Sequence, residues 1–241
     1  MNNVIRQLYA RKSVRVFTEQ PITQEEKNAI LTAATQAPTA GNQQLYTILD
    51  ITDHALKEKL SITCDNQPFI AQAKLVLIFC ADCQKWYDAF QDAGCEPRKP
   101  GTGDLLLAAN DAIIAAQNAV VAAHSLGIGS CYIGDILENC EIHREILHLP
   151  RYVVPVSMIV FGYPTEQQLN RSKPERVAMS HIVHENGYRT MDAQERKDML
   201  TYKAAGDYEA WIHAFCKRKY NSDFSQEMTR SVNLYLKDFL D

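Results

Sequence analysis

The stretch from Asp104 to Leu126 (DLLLAANDAIIAAQNAVVAAHSL) limits what this chain can fold into more than any other. Its inner polar residues fall in pairs, Asn110–Asp111, Gln117–Asn118 and His124–Ser125, each pair seven residues after the last, and every position between them is Leu, Ile, Val or Ala. Such a pattern is a helix apolar almost all round with one narrow polar stripe, and it predicts a helix buried among its neighbours. Half of the apolar positions are alanine, so other backbones can approach closely, whether from the same chain or from a second copy of it. A membrane span suits it poorly, because five amide or charged residues and an imidazole would sit inside the bilayer. Gly127 follows as the helix cap and Ile128–Ile133 as a short strand.

Everything else must assemble around that helix. A chain of 241 residues can bury a sizeable core as one large domain or as two small ones. The net charge of -4 and pI near 6.0 show no global excess of base, so neither a nucleic-acid nor an anionic-membrane surface is indicated. Seven cysteines without regular spacing, and an N-terminus lacking an apolar signal core, lead to the expectation of a reduced, cytoplasmic protein.

Asn2–Ala10 reads as a short amphipathic helix leading into RKSVRVF. If Arg11–Phe17 is extended, its period of two puts Arg11, Ser13 and Arg15 on one face and Lys12, Val14 and Val16 on the other. Two guanidiniums flanking a hydroxyl can cradle a phosphate, since the forked donors of Arg match its oxygens. A solvated basic loop is the plainer alternative. Thr23 and Glu26 form a capping box that starts a helix, and Pro38 stops it. The loop that follows, APTAGNQQ, is rich in small and amide residues and lets backbone approach a ligand closely, though such loops are more often just turns.

Leu45–Ile51 reads as a strand, Asp53–Ile62 as a helix capped by Asp53, CDNQPFI as a polar turn, and Leu75–Ala81 (LVLIFCA) as a strand buried on both faces. Trp86, Tyr87 and Phe90 can share one helix face in a segment, Lys85–Gly103, suited to cover a site or to pack in the core. Beyond the central helix come a helix over Glu138–His148 and a strand over Tyr152–Phe161, where Pro155 predicts a bulge or an edge. The tail from Asp192 is helical in pattern and more charged. Helices of very unequal length between the strands suit an α+β layer arrangement. Neither GxGxxG after a strand nor a P-loop is present. The seven histidines show no metal-ligand spacing, and Cys80 and Cys83 lack the second pair that a zinc site needs.

Taken in order, RKSVRVF, APTAGNQQ, DNQPFIAQA before a strand ending FCAD, GIGSCYIGD, FGYP and KPERVAMSHIVHEN closely resemble the FMN-dependent nitroreductase family. The closest likeness is to its larger flavin-reductase-like branch with an extended helical C-terminus, and it covers nearly the whole chain. The resemblance implies a nitroreductase-like α+β fold, a sheet of about four or five strands flanked by helices, with the long central helix at a homodimer interface. It implies an FMN-binding core over residues 1–191 and a helical extension over 192–241 that packs on the core or on the partner subunit.

Two FMN sites shared between the chains are implied as well. By position, Arg11, Lys12, Ser13 and Arg15 match the family's first flavin segment, with Arg11 and Ser13 on the phosphate and Arg15 near the N1/C2 carbonyl edge of the ring. Pro38, Thr39, Ala40 and Asn42 match the loop usually supplied by the partner. Gln67 matches a glutamine that contacts the ring, and Tyr132, Ile133 and Gly134 match the strand end lying against it. Lys173 and Arg176 match a basic pair that closes the phosphate site. Here Glu175 adds a residue to the commonest spacing, which leaves open which of the two cations touches phosphate.

The activity implied is that of an oxidoreductase in which NAD(P)H reduces FMN, leaves, and gives way to a nitroaromatic, quinone or free flavin. No protein nucleophile is required, because the cofactor carries the chemistry. Arg189, Arg196, Lys197 and Lys203 are candidates to reach a 2′-phosphate, so NADH and NADPH both stay open. A narrow-substrate ene-reductase or dehalogenase on the same scaffold, a flavin-binding sensor without turnover, and a thiol–disulfide protein using Cys80 and Cys83 are the alternatives.

Overall fold

The computed structural model describes residues 1–204 and 206–240. Local sequence signals set several element starts. Asn2 accepts the Ile5 amide and caps α1 (Asn3–Ala10). The expected capping box opens α2 (Gln24–Thr35): Thr23 Oγ1 accepts the Glu26 amide at 3.2 Å, and Glu26 accepts the Thr23 amide at 2.8 Å. Asp53 caps α3 (His54–Thr63) by accepting the Leu56 amide. Each such bond satisfies an N–H that the first helical turn leaves without a partner.

The remaining elements follow in chain order: β1 (Tyr46–Asp50), α4 (Phe69–Gln72), β2 (Leu75–Asp82), α5 (Gln84–Asp92) and α6 (Thr102–Ser125). Then come β3 (Gly129–Ile133), α7 (Cys140–Ile146), β4 (Val153–Gly162), α8 (Glu166–Asn170), α9 (Ala193–Thr201), α10 (Tyr208–Lys219) and α11 (Asp223–Lys237). Gly127 ends the turn after α6 at φ +78°, a conformation that glycine reaches without a Cβ penalty.

Among the described residues the strands form one antiparallel sheet in the order β1-β2-β4-β3. The unbroken apolar run of β2 has a direct cause. Leu75, Leu77 and Phe79 face one core with Ile30 of α2 and the alanines of α6, while Val76, Ile78 and Cys80 face another with Leu60 of α3 and Ile70 of α4. A strand covered on both faces has no solvent side on which to place polar residues. Pro155 lies in β4, an interior strand, and the structure selects the bulge over the edge. The pairing steps from Phe79–Ser157 to Cys80–Pro155 and skips Val156, so the ladder is irregular next to the residue that has no N–H to give it.

Ala112, Ala115, Ala116, Ala119 and Ala123 bring the α6 backbone close to the sheet, and all five are fully buried. By length and composition α6 could cross a membrane, but its alanine face lies in the main core. Burial all round, expected from its sequence, is not what one chain provides. Leu106 is 67% exposed and Ile113 41%, and Val4 and Leu8 of α1 are exposed too.

Two compact units make up the chain: Met1–Ser172 joined by the stretch beginning at Glu227, and Lys173–Gln226. The expected boundary after Met191 therefore falls inside the second unit. Tyr235 of α11 and Phe239 just beyond it pack in the first unit's core with Leu105, Tyr152 and Val154.

Candidate functional site

Arg11–Phe17 is extended, as its alternation requires, and it lies along the β3 and β4 ends. Ser13 bridges Ser130 in parallel and Phe17 bridges Pro164. The Val14 amide donates to Ser130 O at 2.9 Å, and the Thr18 amide to Tyr163 O at 2.8 Å. Two glycines make the approach possible. A Cβ on Gly129 would stand 2.7 Å from Val14 Cγ2, and one on Gly162 would stand 2.6 Å from Phe17 Cδ1. RKSVRVF, GIGSCYIGD and FGYP are therefore one construction, in which two strand-end glycines seat the basic segment.

That seating fixes the cations. The Arg11 guanidinium lies 5.7 Å from the Tyr132 ring centroid, and its Nε and Nη2 are buried without a hydrogen-bond partner. The Arg15 guanidinium lies 6.0 Å from the Phe69 ring centroid, while its amide donates to Gln168 Oε1 at 3.3 Å. Among the described residues neither arginine has a carboxylate in ion-pair range. Buried guanidinium donors without acceptors are costly, and an oxyanion is the ligand that satisfies them. Lys12 is otherwise engaged: its Nζ donates to the carbonyls of Leu169, at 2.7 Å, and Arg171, and the Arg171 guanidinium in turn donates to Ser13 O. It fastens α8 to the segment that carries Arg11 and Ser13.

From Ser130, where the basic segment pairs with it, β3 runs on to Tyr132 and Ile133, and Gly134 follows. Ile133 is buried, whereas Gly134 is exposed and a Cβ there would meet nothing within 4 Å. Tyr132 donates to Gln117 Oε1 at 3.2 Å, and burial pushes its phenol up to about 12, so it stays a neutral donor. Gln67 follows a turn in which Asp65 and Asn66 both have positive φ, and its Nε2 donates to Cys64 O at 2.9 Å. Glu138 lies just beyond Gly134 in sequence, 6% exposed, with Oε1 lacking a partner. Burial first, then the carboxylates of Asp135, Asp65 and Glu227, pushes its carboxyl up to about 7.

Pro38, Thr39, Ala40 and Asn42 form a separate group. A 3₁₀ turn spans Ala40–Asn42, and Asp111 of α6 accepts the Ala40 amide at 2.9 Å and the Leu45 amide at 3.1 Å. Thr39 Oγ1 accepts the Gln44 amide at 3.2 Å. Arg11 instead shares a cavity with His124, also on α6. Asp111 and His124 are thirteen residues apart, so the loop anchor and the arginine cradle lie about 20 Å apart along the helix. Lys173 and Arg176 belong to the second unit, where Arg176 Nη1 donates to Pro174 O at 3.2 Å.

The model of the nitroreductase family matches residues 8–163. The chain belongs to the nitroreductase family. It is 30% identical to the FMN reductase (NAD(P)H) of Bacillus subtilis over 98% of this chain and 91% of that protein. It is 35% identical to the oxygen-insensitive NADPH nitroreductase of Salmonella typhimurium over 80% of this chain and 77% of that one. In structure it is similar to the NADPH:FMN oxidoreductase of Vibrio harveyi, which was solved with NAD+: TM-score 0.83, 27% identity, and 98% of each chain covered.

The two spaced thiols are held as neutral thiols rather than as thiolate nucleophiles. Cys80 lies in β2 and Cys83 just ahead of α5, both are buried, and burial pushes each thiol up to about 12. His143 is buried too, with Nδ1 on Ile136 O at 2.9 Å and Nε2 on Thr63 Oγ1 at 2.8 Å, a structural histidine. Among the described residues no cluster could hold a metal ion. Sequence reasoning gave no role to Asp111, Gly129, Gly162 or Glu138, although the two glycines stand inside the GIGSCYIGD and FGYP motifs and Asp111 stood out as a carboxylate inside an otherwise apolar helix.

Proposed function

We propose that this nitroreductase binds FMN and works as an NAD(P)H-dependent oxidoreductase on nitroaromatics, quinones or free flavins, by a ping-pong sequence. The observation that carries this reading is the pair of buried, unpartnered donors on Arg11, on the same extended segment as Ser13. FMN, when bound, supplies the two-electron chemistry. The chain supplies the rest. Arg11 and Ser13 bind the phosphate, and Lys12 keeps their segment fixed through α8. Arg15 presents a guanidinium whose fixed charge favours the more negative, reduced cofactor. Gln67, Tyr132, Ile133 and Gly134 form the ring's floor. By resemblance alone, Lys173 and Arg176 are assigned to the same phosphate.

The protein works as a cytoplasmic homodimer in this reading. Pro38, Thr39, Ala40 and Asn42 are held about 20 Å from the Arg11 cradle along α6, so they serve the flavin of a second copy. The exposed apolar face of α6, with Leu106 and Ile113, is the surface that brings that copy near. By resemblance alone, residues 192–241 are assigned to a C-terminal extension.

Anaerobic mixing with NADH and with NADPH, followed by reoxidation with an acceptor panel, tests the function. A yellow protein that either nicotinamide bleaches and an acceptor restores is the expected result. A protein left colourless after incubation with FMN overturns the reading, and one that neither nicotinamide bleaches is a binding protein without turnover.

A further inference from the structure

At the end of the sheet where β1 finishes and β2 begins, three lysines from separate segments line one cavity of about 230 Å³ together with Gln24, Asp50 and Thr52. Lys27 comes from α2, Lys57 from α3, and Lys74 from the residue ahead of β2. We propose that this cavity docks the phosphate of an acyl phosphate between Lys27 and Lys74, and that Lys57 is the amine it acylates.

The three cations are not equivalent. Lys27 pairs with Asp50, and Lys74 pairs with Glu19 at 2.7 Å, where Glu19 is 98% exposed. A pair with so exposed a carboxylate is weak, and a phosphate can replace it. Lys57 has no carboxylate in ion-pair range among the described residues, and its Nζ donates only to Ala73 O, at 3.3 Å. Partial burial holds the Lys57 ammonium below the usual lysine range; Asp50 opposes this, and Lys27 and Lys74 add to it. A larger share of neutral amine means a better nucleophile, which is how buried lysines become reactive.

An acyl phosphate suits this arrangement because it carries both parts the site can use. Its dianionic end takes the two flanking ammoniums, as phosphates do, and its carbonyl carbon is then held near Lys57. The Lys57 lone pair forms the new N–C bond, the C–O bond to phosphate breaks, and phosphate departs with that electron pair. The proton lost from nitrogen goes to the departing phosphate or to water. The product is a neutral amide that retains one N–H for Ala73 O, so the cavity loses one positive charge.

Lys59 is the internal control, being exposed and two residues away on the same helix. The full chain is incubated with acetyl phosphate, and acetylation at each lysine is followed over time by mass spectrometry. Lys57 is expected to react several-fold faster than Lys59, and excess inorganic phosphate is expected to slow Lys57 alone. A phosphate-free acetyl thioester is expected to lower the Lys57-to-Lys59 ratio, and Lys74→Gln, checked for fold by circular dichroism, to slow Lys57. Equal rates at the two lysines overturn the proposal. So does a ratio unmoved by phosphate, by the thioester, or by the folded Lys74→Gln variant.

Discussion

Arg11 shows how one side chain can report the chemistry it is built to bind. Its Nε and Nη2 are buried and unpartnered, a state that costs stability unless an anion is present. Arg11→Met is therefore expected to leave fold and Tm unharmed in the flavin-free protein, while FMN affinity falls roughly 10- to 100-fold, the value of about 1.5–3 kcal/mol for a charged hydrogen bond. Fluorescence titration with FMN reads the effect. Glu138 reports a different cost. Its carboxyl is raised to about 7 from an ordinary 4.5, so the folded protein holds a proton that the unfolded chain releases. The stability tied to that proton is fully present below about 4.5 and is lost as pH rises through 7. Glu138→Gln should flatten this slope. Its Tm should match the parent near pH 4.5 and exceed it by several degrees at pH 8, for a difference on the order of 2 kcal/mol; parallel melting curves across pH check it.

At the scale of elements, the glycines of β3 and β4 join three motifs that are far apart in sequence. With a Cβ 2.7 Å from Val14 on Gly129, or 2.6 Å from Phe17 on Gly162, the basic segment must lift away from the sheet. Gly129→Ala and Gly162→Ala should each cost about 1–3 kcal/mol, as overpacking does, and should weaken FMN binding in parallel. Stability loss with FMN affinity unchanged would show that the segment does not carry the phosphate site. Element starts were legible in the sequence, because capping is local: Thr23 and Glu26 meet within one turn, as do Asp53 and the Leu56 amide. Asp111 was legible only as an oddity, since its partners at Ala40 and Leu45 lie 71 and 66 residues away.

For the whole molecule, α6 decides what one chain can and cannot do. One face of it packs on the sheet, and the other is left apolar and exposed. Ile113→Glu should place a charge on that exposed face and, in the dimeric reading, give a folded monomer by sedimentation that releases FMN on dilution. A dimer that survives the substitution would move the interface elsewhere. The sequence by itself determined the α+β class, the element starts, the buried central strand and the residue types able to hold a phosphorylated flavin. The first three follow from periodicity and caps, which act over a few residues, and the flavin assignment follows from the resemblance of motifs in order. Only the tertiary structure decided that Arg11 is unpartnered while Lys12 is engaged, that Gly129 and Gly162 are needed for space, and that loop 38–42 lies about 20 Å along α6 from the cradle. Each of these depends on which distant backbones meet, and no local pattern encodes that.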